Sequence, residues 1–91
     1  MPMQKATVTI INRLGLHARA SARLTKLAAG FLCEVHMSRN GRRINAKSIM
    51  GVMMLAAGLG SEVEVETEGV DEAQALQAIT ALIAERFGEG Q

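Results

Sequence analysis

The amino-acid sequence predicts an α+β fold in two layers, an open-faced sandwich in which three helices cover one face of a four-stranded antiparallel sheet. Apolar residues recur with period two in four segments, which is typical of strands with one solvated face. They recur at helical spacing in three further segments, and the segments follow in the order β-α-β-β-α-β-α. A chain of 91 residues can bury one core, so we expect a single domain over residues 1–91.

The first two elements are a strand and a helix. Residues 4–10 alternate between apolar and polar side chains, which predicts a half-buried strand. After a loop that ends at Gly15, residues 18–29 place apolar side chains on one side at helical spacing, and Gly30 is a typical stop. The residues expected to face the core are Ala6, Val8, Ile10, Ala20, Leu24, Leu27 and Ala28.

The middle of the chain predicts a hairpin. Residues 32–38 return to period two, with His36 on the polar side, where we expect a solvated surface histidine. The pair Asn40-Gly41 favours a type I′ turn, because both residues readily adopt positive φ angles. A return strand over about residues 44–46 should follow.

A short, very apolar helix is expected after the hairpin. Ser48 is a good N-cap for it, and Gly58 and Gly60 should end it. As an alternative to a purely structural cap, Ser48 can accept a phosphate whose charge would alter a partner surface. The apolar side chains cannot all face one core, so some of Ile49, Met50, Val52, Met53, Met54 and Leu55 should remain exposed.

The last two elements are a strand and a long helix. Residues 61–69 alternate, with valines facing the core and Glu62, Glu64 and Glu66 facing solvent. The final helix should cover residues 71–87, and residues 87–91 should be frayed. Its expected core positions are Ala73, Leu76, Ile79, Ile83 and Phe87.

Composition excludes several classes of protein. The formal net charge of +1 argues against a strongly basic nucleic-acid binder. No apolar run approaches the roughly 20 residues that span a bilayer, and the N-terminus lacks signal-peptide features, so a cytoplasmic location is expected. Cys33 is the single cysteine and is expected to be a small buried side chain. The chain has no pair of Cys or His residues at ligand spacing, so neither a metal site nor a cofactor is expected.

His17 is placed where a predicted helix begins. Backbone N–H groups lack intrahelical partners there, and the helix dipole favours an imidazole that carries a negative group. Arg19 lies within one turn, and Arg23 and Lys26 continue a basic face. Gly15 would allow a sharp turn that leaves the ring accessible. Spacing alone leaves open an alternative in which His17 is an indifferent cap on a solvated basic face.

The segments GLHAR at 15–19 and AKSIMGVMMLAA at 46–57, in this order of elements, resemble the HPr family of histidine-containing phosphocarriers of the bacterial phosphotransferase system. The resemblance covers essentially the whole chain. It implies a phosphoryl-group carrier rather than an enzyme, with an HPr-like fold and no cofactor. The segment NRLGLHAR also resembles the nitrogen-related branch of the family.

The resemblance also implies roles for individual residues. His17 would accept a phosphoryl group on Nδ1 from phosphorylated Enzyme I and pass it to an Enzyme IIA protein, with Arg19 stabilising the group. Ser48 would be the target of HPr kinase/phosphorylase. The partner-binding residues would be Arg23, Lys26, Ile49, Met50 and Met53. Neither nucleic acid nor a membrane is an expected partner, and the protein should be a monomer.

Two positions depart from the family pattern. Many relatives have proline after the arginine, where this chain has Ala20. Many also have a small polar residue just before the glycine, where this chain has Leu14, so one hydrogen bond to a phosphoryl group would be absent. We therefore expect the transfer rate and the lifetime of the phosphohistidine to be affected, with the role of His17 unchanged.

Functions of two other classes are alternatives to a phosphocarrier. A regulatory binding module would engage a partner through the methionine-rich helix without histidine phosphotransfer. An RNA-binding α+β domain would need aromatic side chains for base stacking, but the chain contains no Trp or Tyr and only two Phe. The glutamates on the open face of the predicted sheet would also repel RNA phosphates, which argues against the RNA-binding hypothesis.

Overall fold

The computed structural model describes residues 3–90 as a four-stranded antiparallel sheet with three helices, which confirms the predicted fold. The elements are β1 (Gln4–Thr9), α1 (Ala18–Ala29), β2 (Glu34–Arg39), β3 (Arg42–Asn45), α2 (Ile49–Met54), β4 (Glu62–Glu68), α3 (Glu72–Ala84) and a 3-10 turn (Arg86–Gly88). Within residues 3–90, no helix is long and apolar enough to cross a membrane.

The last strand lies in the interior of the sheet. The spatial order is β1-β4-β2-β3, so β4 pairs with the first strand on one side and with β2 on the other. Val65 of β4 lies opposite both Ala6 and Met37, and these side chains face the helices. The largest fully buried side chains include Phe87, Ile10, Leu24, Met37, Ile79 and Ile83. The core therefore lies between the sheet and the helices, as the alternation of apolar and polar residues along the strands predicts.

The hairpin confirms the predicted turn but begins its return strand earlier than expected. Asn40 and Gly41 have φ angles of 50° and 82°, as a type I′ turn requires. Pairing starts immediately beyond them, with Arg39 opposite Arg42. The strand consequently covers Arg42–Asn45 rather than residues 44–46, because a two-residue turn leaves no gap before pairing begins.

Helix α2 begins at the predicted residue but ends before the two glycines expected to end it. The Ser48 side chain accepts a hydrogen bond from the N–H of Gly51 at 3.1 Å, which confirms it as the N-cap. The helix ends at Met54, and Ala56 already has a φ of 51°. A left-handed alanine, rather than Gly58 or Gly60, therefore turns the chain away.

The C-terminal region departs most from the prediction. Helix α3 stops at Ala84 instead of continuing to residue 87, and Arg86 and Phe87 adopt positive φ angles of 56° and 55°. Phe87 is nevertheless completely buried, and the Glu89 carboxylate is hydrogen-bonded to Asn12 and His17, so these two residues are held in place and are not frayed. Gly88 and Gly90 are exposed, and residue 91 lies outside the described part. The prediction that Ala73 faces the core is also wrong, since Ala75 occupies that side of the helix.

One glutamate of the open sheet face is buried rather than solvated. Glu66 is only 8% exposed, although it lies on the side of β4 away from the helices. Its strand is interior, so Lys5 and His36 flank it on the neighbouring strands, and Arg43 donates a hydrogen bond to its Oε2 at 3.2 Å. These neighbours cover a carboxylate that an edge strand would leave in water.

Candidate functional site

The loop before α1 is bent so that His17 is at the N-terminus of the helix. The N–H of Gly15 donates to the carbonyl of Asn12 at 3.2 Å, and the N–H of Leu16 donates to Ala57 at 2.9 Å. His17 has extended backbone angles and forms no side-chain capping bond, while its carbonyl accepts the first helical bond from Ser21 at 2.8 Å. The imidazole is therefore not used as a cap and points elsewhere.

Gly15 makes this bend possible. Its φ is +64°, and a Cβ atom at this position would lie 2.5 Å from the carbonyl oxygen of Ala57 and 2.7 Å from the Cα of Gly58. Only a residue without a side chain accepts both the left-handed backbone and the close approach. The segment after α2 is thus in direct contact with the loop that carries His17.

The imidazole of His17 forms a short hydrogen bond to the C-terminal region. Its Nε2 lies 2.7 Å from Oε2 of Glu89, and the His17 side chain is 27% exposed. The other carboxylate oxygen, Oε1, accepts a hydrogen bond from Nδ2 of Asn12 at 3.1 Å. Within residues 3–90, Nδ1 of His17 forms no hydrogen bond. One ring nitrogen is therefore held by the protein while the other is available.

Glu89 is ionised in this environment at neutral pH. Partial burial acts to raise its pKa, but the hydrogen bonds from Asn12 and His17 and the charges of His17 and Arg23 outweigh it. The pKa of Glu89 is therefore lowered from its ordinary value of 4.5. The site contains a carboxylate beside the imidazole and not a carboxylic acid.

The basic residues of α1 have different surroundings. Arg19, in the first turn and close in sequence to His17, is exposed and forms no side-chain hydrogen bond or ion pair within residues 3–90. Arg23, one turn later, donates through Nη1 to the carbonyl of Phe87. Lys26 in the last turn is exposed. The basic face is therefore only partly solvated, since Arg23 binds the C-terminal turn.

Helix α2 presents an exposed apolar surface beside the capped serine. Exposed fractions are 38% for Ile49, 65% for Met50 and 38% for Met53, and we call these three residues the α2 patch. Met54 is also exposed, whereas Val52 and Leu55 are buried. This division confirms the expectation that a helix apolar on all sides leaves some of its side chains outside the core. Ser48 itself is exposed.

Three other positions singled out in the sequence form no side-chain hydrogen bond with His17 in the described part of the chain. Leu14 is 66% exposed on the loop before Gly15, and Cys33 is buried in the core. His36 lies half-buried on the open sheet face, so it is less solvated than expected. No group of three or more His, Cys, Asp or Glu side chains in the described part of the chain is arranged to hold a metal ion.

Asn12 and Glu89 are site residues that sequence reasoning missed. Asn12 is completely buried, and its Nδ2 also donates to the carbonyl of Gly15 at 2.8 Å. Glu89 is separated from His17 by 72 positions and lies in a stretch whose glycines indicated fraying. A local sequence pattern carries no signal for a contact over this separation.

The chain is similar to known phosphocarriers over nearly its full length. A family described as "PTS HPr component phosphorylation site" matches residues 4–85. The phosphocarrier protein HPr of Cupriavidus necator is 65% identical over 89 residues, covering 98% of this chain and 100% of that protein.

Solved structures share the fold. The crystal structure of HPr-C-His from Thermoanaerobacter tengcongensis is 38% identical with a TM-score of 0.92, covering 94% of this chain and 97% of that one. An HPr dimer from the same organism is also 38% identical, with a TM-score of 0.77, and covers 94% and 99% of the two chains.

Proposed function

This chain belongs to the HPr family of phosphocarriers of the phosphotransferase system, and from this premise we propose that His17 accepts a phosphoryl group from Enzyme I and donates it to an Enzyme IIA protein. The observation that carries the proposal is the position of His17 at the start of α1, with Nδ1 unbonded within residues 3–90. A nucleophilic nitrogen at a helix N-terminus fits a carrier of negative charge.

The transfer step needs alignment and charge stabilisation. The lone pair of Nδ1 forms the new N–P bond as the bond between phosphorus and the donor nitrogen breaks, and the electron pair of that bond returns to the donor. Donation to Enzyme IIA is the same step with the roles exchanged. The N–H groups of Ala18, Arg19 and Ala20 are in the first turn, where no helical carbonyl binds them, and they can stabilise the phosphoryl oxygens.

Arg19 is the side chain that we propose to follow the phosphoryl group. It is exposed in the first turn of α1 and is not held by another described residue, so it can reach toward an incoming oxygen with little cost. Arg23 is bound to the Phe87 carbonyl and contributes charge from a fixed position. We propose a direct role in stabilisation for Arg19 and a partner-binding role for Arg23 and Lys26.

The α2 patch is proposed as the apolar part of the docking surface for Enzyme I and Enzyme IIA. Methionine side chains repack easily, which suits a surface that binds more than one partner. Ile49, Met50 and Met53 supply the apolar contact, and the cations of α1 supply the polar rim. The protein would act as a cytoplasmic monomer in these complexes.

Ser48 is proposed as a control point, phosphorylated by HPr kinase/phosphorylase where that enzyme is present. The serine is exposed and is followed directly by the α2 patch. A phosphate here would place a dianion at the edge of an apolar docking surface, where docking would have to desolvate it. Phosphorylation of Ser48 should therefore weaken docking of Enzyme I, while Gly51 N–H continues to be capped by an oxygen.

Incubation with phosphoenolpyruvate and Enzyme I tests the proposed carrier function. We expect one acid-labile phosphate per chain, absent in His17→Ala and retained in His36→Ala, which removes the only other histidine. Phosphate retained by His17→Ala would refute the assignment. If instead no histidine is phosphorylated and a Ser48-phosphorylated form binds a regulator tightly, the protein is a binding module rather than a carrier.

A further inference from the structure

The contact between His17 and the C-terminal turn gives the carboxylate of Glu89 a definite task. We propose that Glu89 is a positioning residue that keeps the proton of His17 on Nε2 and so presents the lone pair of Nδ1 to the phosphoryl donor. The inference rests on the proposed function of His17 as the phosphoryl acceptor. It goes further because Glu89, which is distant in sequence, would determine which ring nitrogen of His17 accepts the phosphoryl group.

The geometry defines which atom carries the proton. An ionised carboxylate only accepts hydrogen bonds, so the 2.7 Å contact requires that Nε2 of His17 is the donor. A neutral imidazole protonated on Nε2 has its lone pair on Nδ1. Asn12, which is completely buried, donates to the second oxygen of Glu89 at 3.1 Å. Both carboxylate oxygens are therefore engaged, and the carboxylate is held in one orientation.

The C-terminal turn is built in a way that directs Glu89 back to the site. Phe87 is buried in the core, and its carbonyl accepts a hydrogen bond from Arg23 of α1. Arg86 and Phe87 have positive φ angles, which are costly for residues with side chains. The N–H of Glu89 then donates to the carbonyl of Arg86 at 2.9 Å. The tail is thus anchored on both sides of the turn.

The contact also stabilises the charge that develops during transfer. As Nδ1 donates its lone pair to phosphorus, positive charge builds up on the imidazole ring, and the electron pair of the broken bond goes to the donor nitrogen. The proton remains on Nε2 throughout. A carboxylate oxygen 2.7 Å from Nε2 stabilises this positive charge on the ring. The charge disappears when the phosphoryl group is transferred to the acceptor and the lone pair returns to Nδ1.

The first test is the tautomer of His17 in the free protein, measured by ¹⁵N NMR of the ring nitrogens at a pH where the imidazole is neutral. We expect a predominant Nε2–H form in the wild type and a mixture of tautomers in Glu89→Gln. Glu85→Gln is the matched control, because Glu85 lies in the same tail, is exposed and uses only its backbone in hydrogen bonds. An unchanged Nε2–H preference in Glu89→Gln would refute the inference.

The second test is the rate of phosphorylation by Enzyme I and phosphoenolpyruvate. Glu89→Gln should slow it by about tenfold or more, Asn12→Ala should slow it less, and Glu85→Gln should leave it unchanged. Normal rates in Glu89→Gln would refute the positioning role even if His17 is the acceptor. Failure of the wild type to be phosphorylated would refute the proposed function, and the tautomer measurement would still decide whether Glu89 sets the proton position.

Discussion

At the scale of single residues, Gly15 controls how closely the loop before His17 approaches the segment after α2. A Cβ atom here would collide with main-chain atoms of Ala57 and Gly58, at a φ of +64°. We therefore expect Gly15→Ala to lower the free energy of unfolding by at least about 2 kcal/mol. Urea denaturation followed by circular dichroism measures the change.

Gly41→Ala separates the clash from the backbone effect. Gly41 also has a positive φ, of +82°, but nothing lies within 4 Å of an added Cβ atom. This variant should lose only about 1 kcal/mol, the cost of the left-handed backbone alone. Equal losses in the two variants would contradict the close contact at Gly15.

The buried thiol of Cys33 gives a second residue-scale prediction. Burial raises its pKa from 9.0 to about 11, and the neighbouring Asp71 adds to the effect. Because the thiolate is the reactive form, iodoacetamide at about pH 8 should modify the folded protein far more slowly than the chain in urea. Mass spectrometry follows the modification, and similar rates with and without urea would rule out a protected thiol.

The sequence predicts the position of a residue correctly where the residue type and its neighbours in the chain determine it. Ser48 has the side chain of an N-cap and is one, and the single Cys33 is buried as a small hydrophobic residue. His17 is a candidate from the sequence because a histidine begins a periodic segment. The carboxylate that binds it was not found, because the contact spans 72 positions and depends on how the C-terminus folds back.

At the scale of elements, the first turn of α1 lacks the proline that many relatives have. Ala20 is in this turn, ahead of Ser21, whose N–H makes the first bond of the helix. Proline at position 20 would therefore remove no helical hydrogen bond and would restrict the unfolded chain. We expect Ala20→Pro to keep the fold and to change the free energy of unfolding by less than about 1 kcal/mol.

Ala22→Pro is the control for the position within the helix. Ala22 is exposed, so no packing is lost, but proline there removes a helical bond and should cost about 3 kcal/mol. Urea denaturation compares both variants. A large loss of helix content in Ala20→Pro would mean that the buried side of this turn has no room for the ring.

Element ends were predicted less well than the elements themselves. Periodicity continues through Phe87, so the pattern favoured one long helix, yet two left-handed residues end the helix and still bury Phe87. Similarly, Ala56 and not a glycine turns the chain after α2. Left-handed residues with side chains are held by tertiary packing, which propensity does not describe.

At the scale of the whole molecule, topology brings distant segments together at His17. The order of elements was predictable, because period two and helical spacing alternate clearly along the chain. The spatial order β1-β4-β2-β3 involves pairing between the first and the last strand, which a local pattern does not report. Burial of Glu66 follows from this order, since β4 is an interior strand.

Two carboxylates connect parts of the chain that are distant in sequence, and both make stability depend on pH. Asp71 accepts hydrogen bonds from the N–H groups of Leu32 and Cys33 at 2.8 and 2.9 Å, and Glu89 binds Asn12 and His17. The hydrogen bond from Leu32 is the main reason that the pKa of Asp71 is lowered from 3.8. The pKa of Glu89 is lowered from 4.5 because its hydrogen bonds outweigh burial.

The sign of the pH effect follows from these lowered values. The unfolded chain binds protons at the ordinary pKa values, so acid favours unfolding. The stabilising contribution of both carboxylates is complete well above 4.5 and is lost as the pH falls through this range toward the lowered folded-state values. Urea denaturation at neutral pH and at about pH 3 should give a clear decrease in the free energy of unfolding. In the double variant Asp71→Asn/Glu89→Gln, the free energy of unfolding should fall less between neutral and acid pH than it does in the wild type. Glu85→Gln is the control and should lose as much stability in acid as the wild type. If the double variant also loses as much as the wild type, other groups govern acid unfolding.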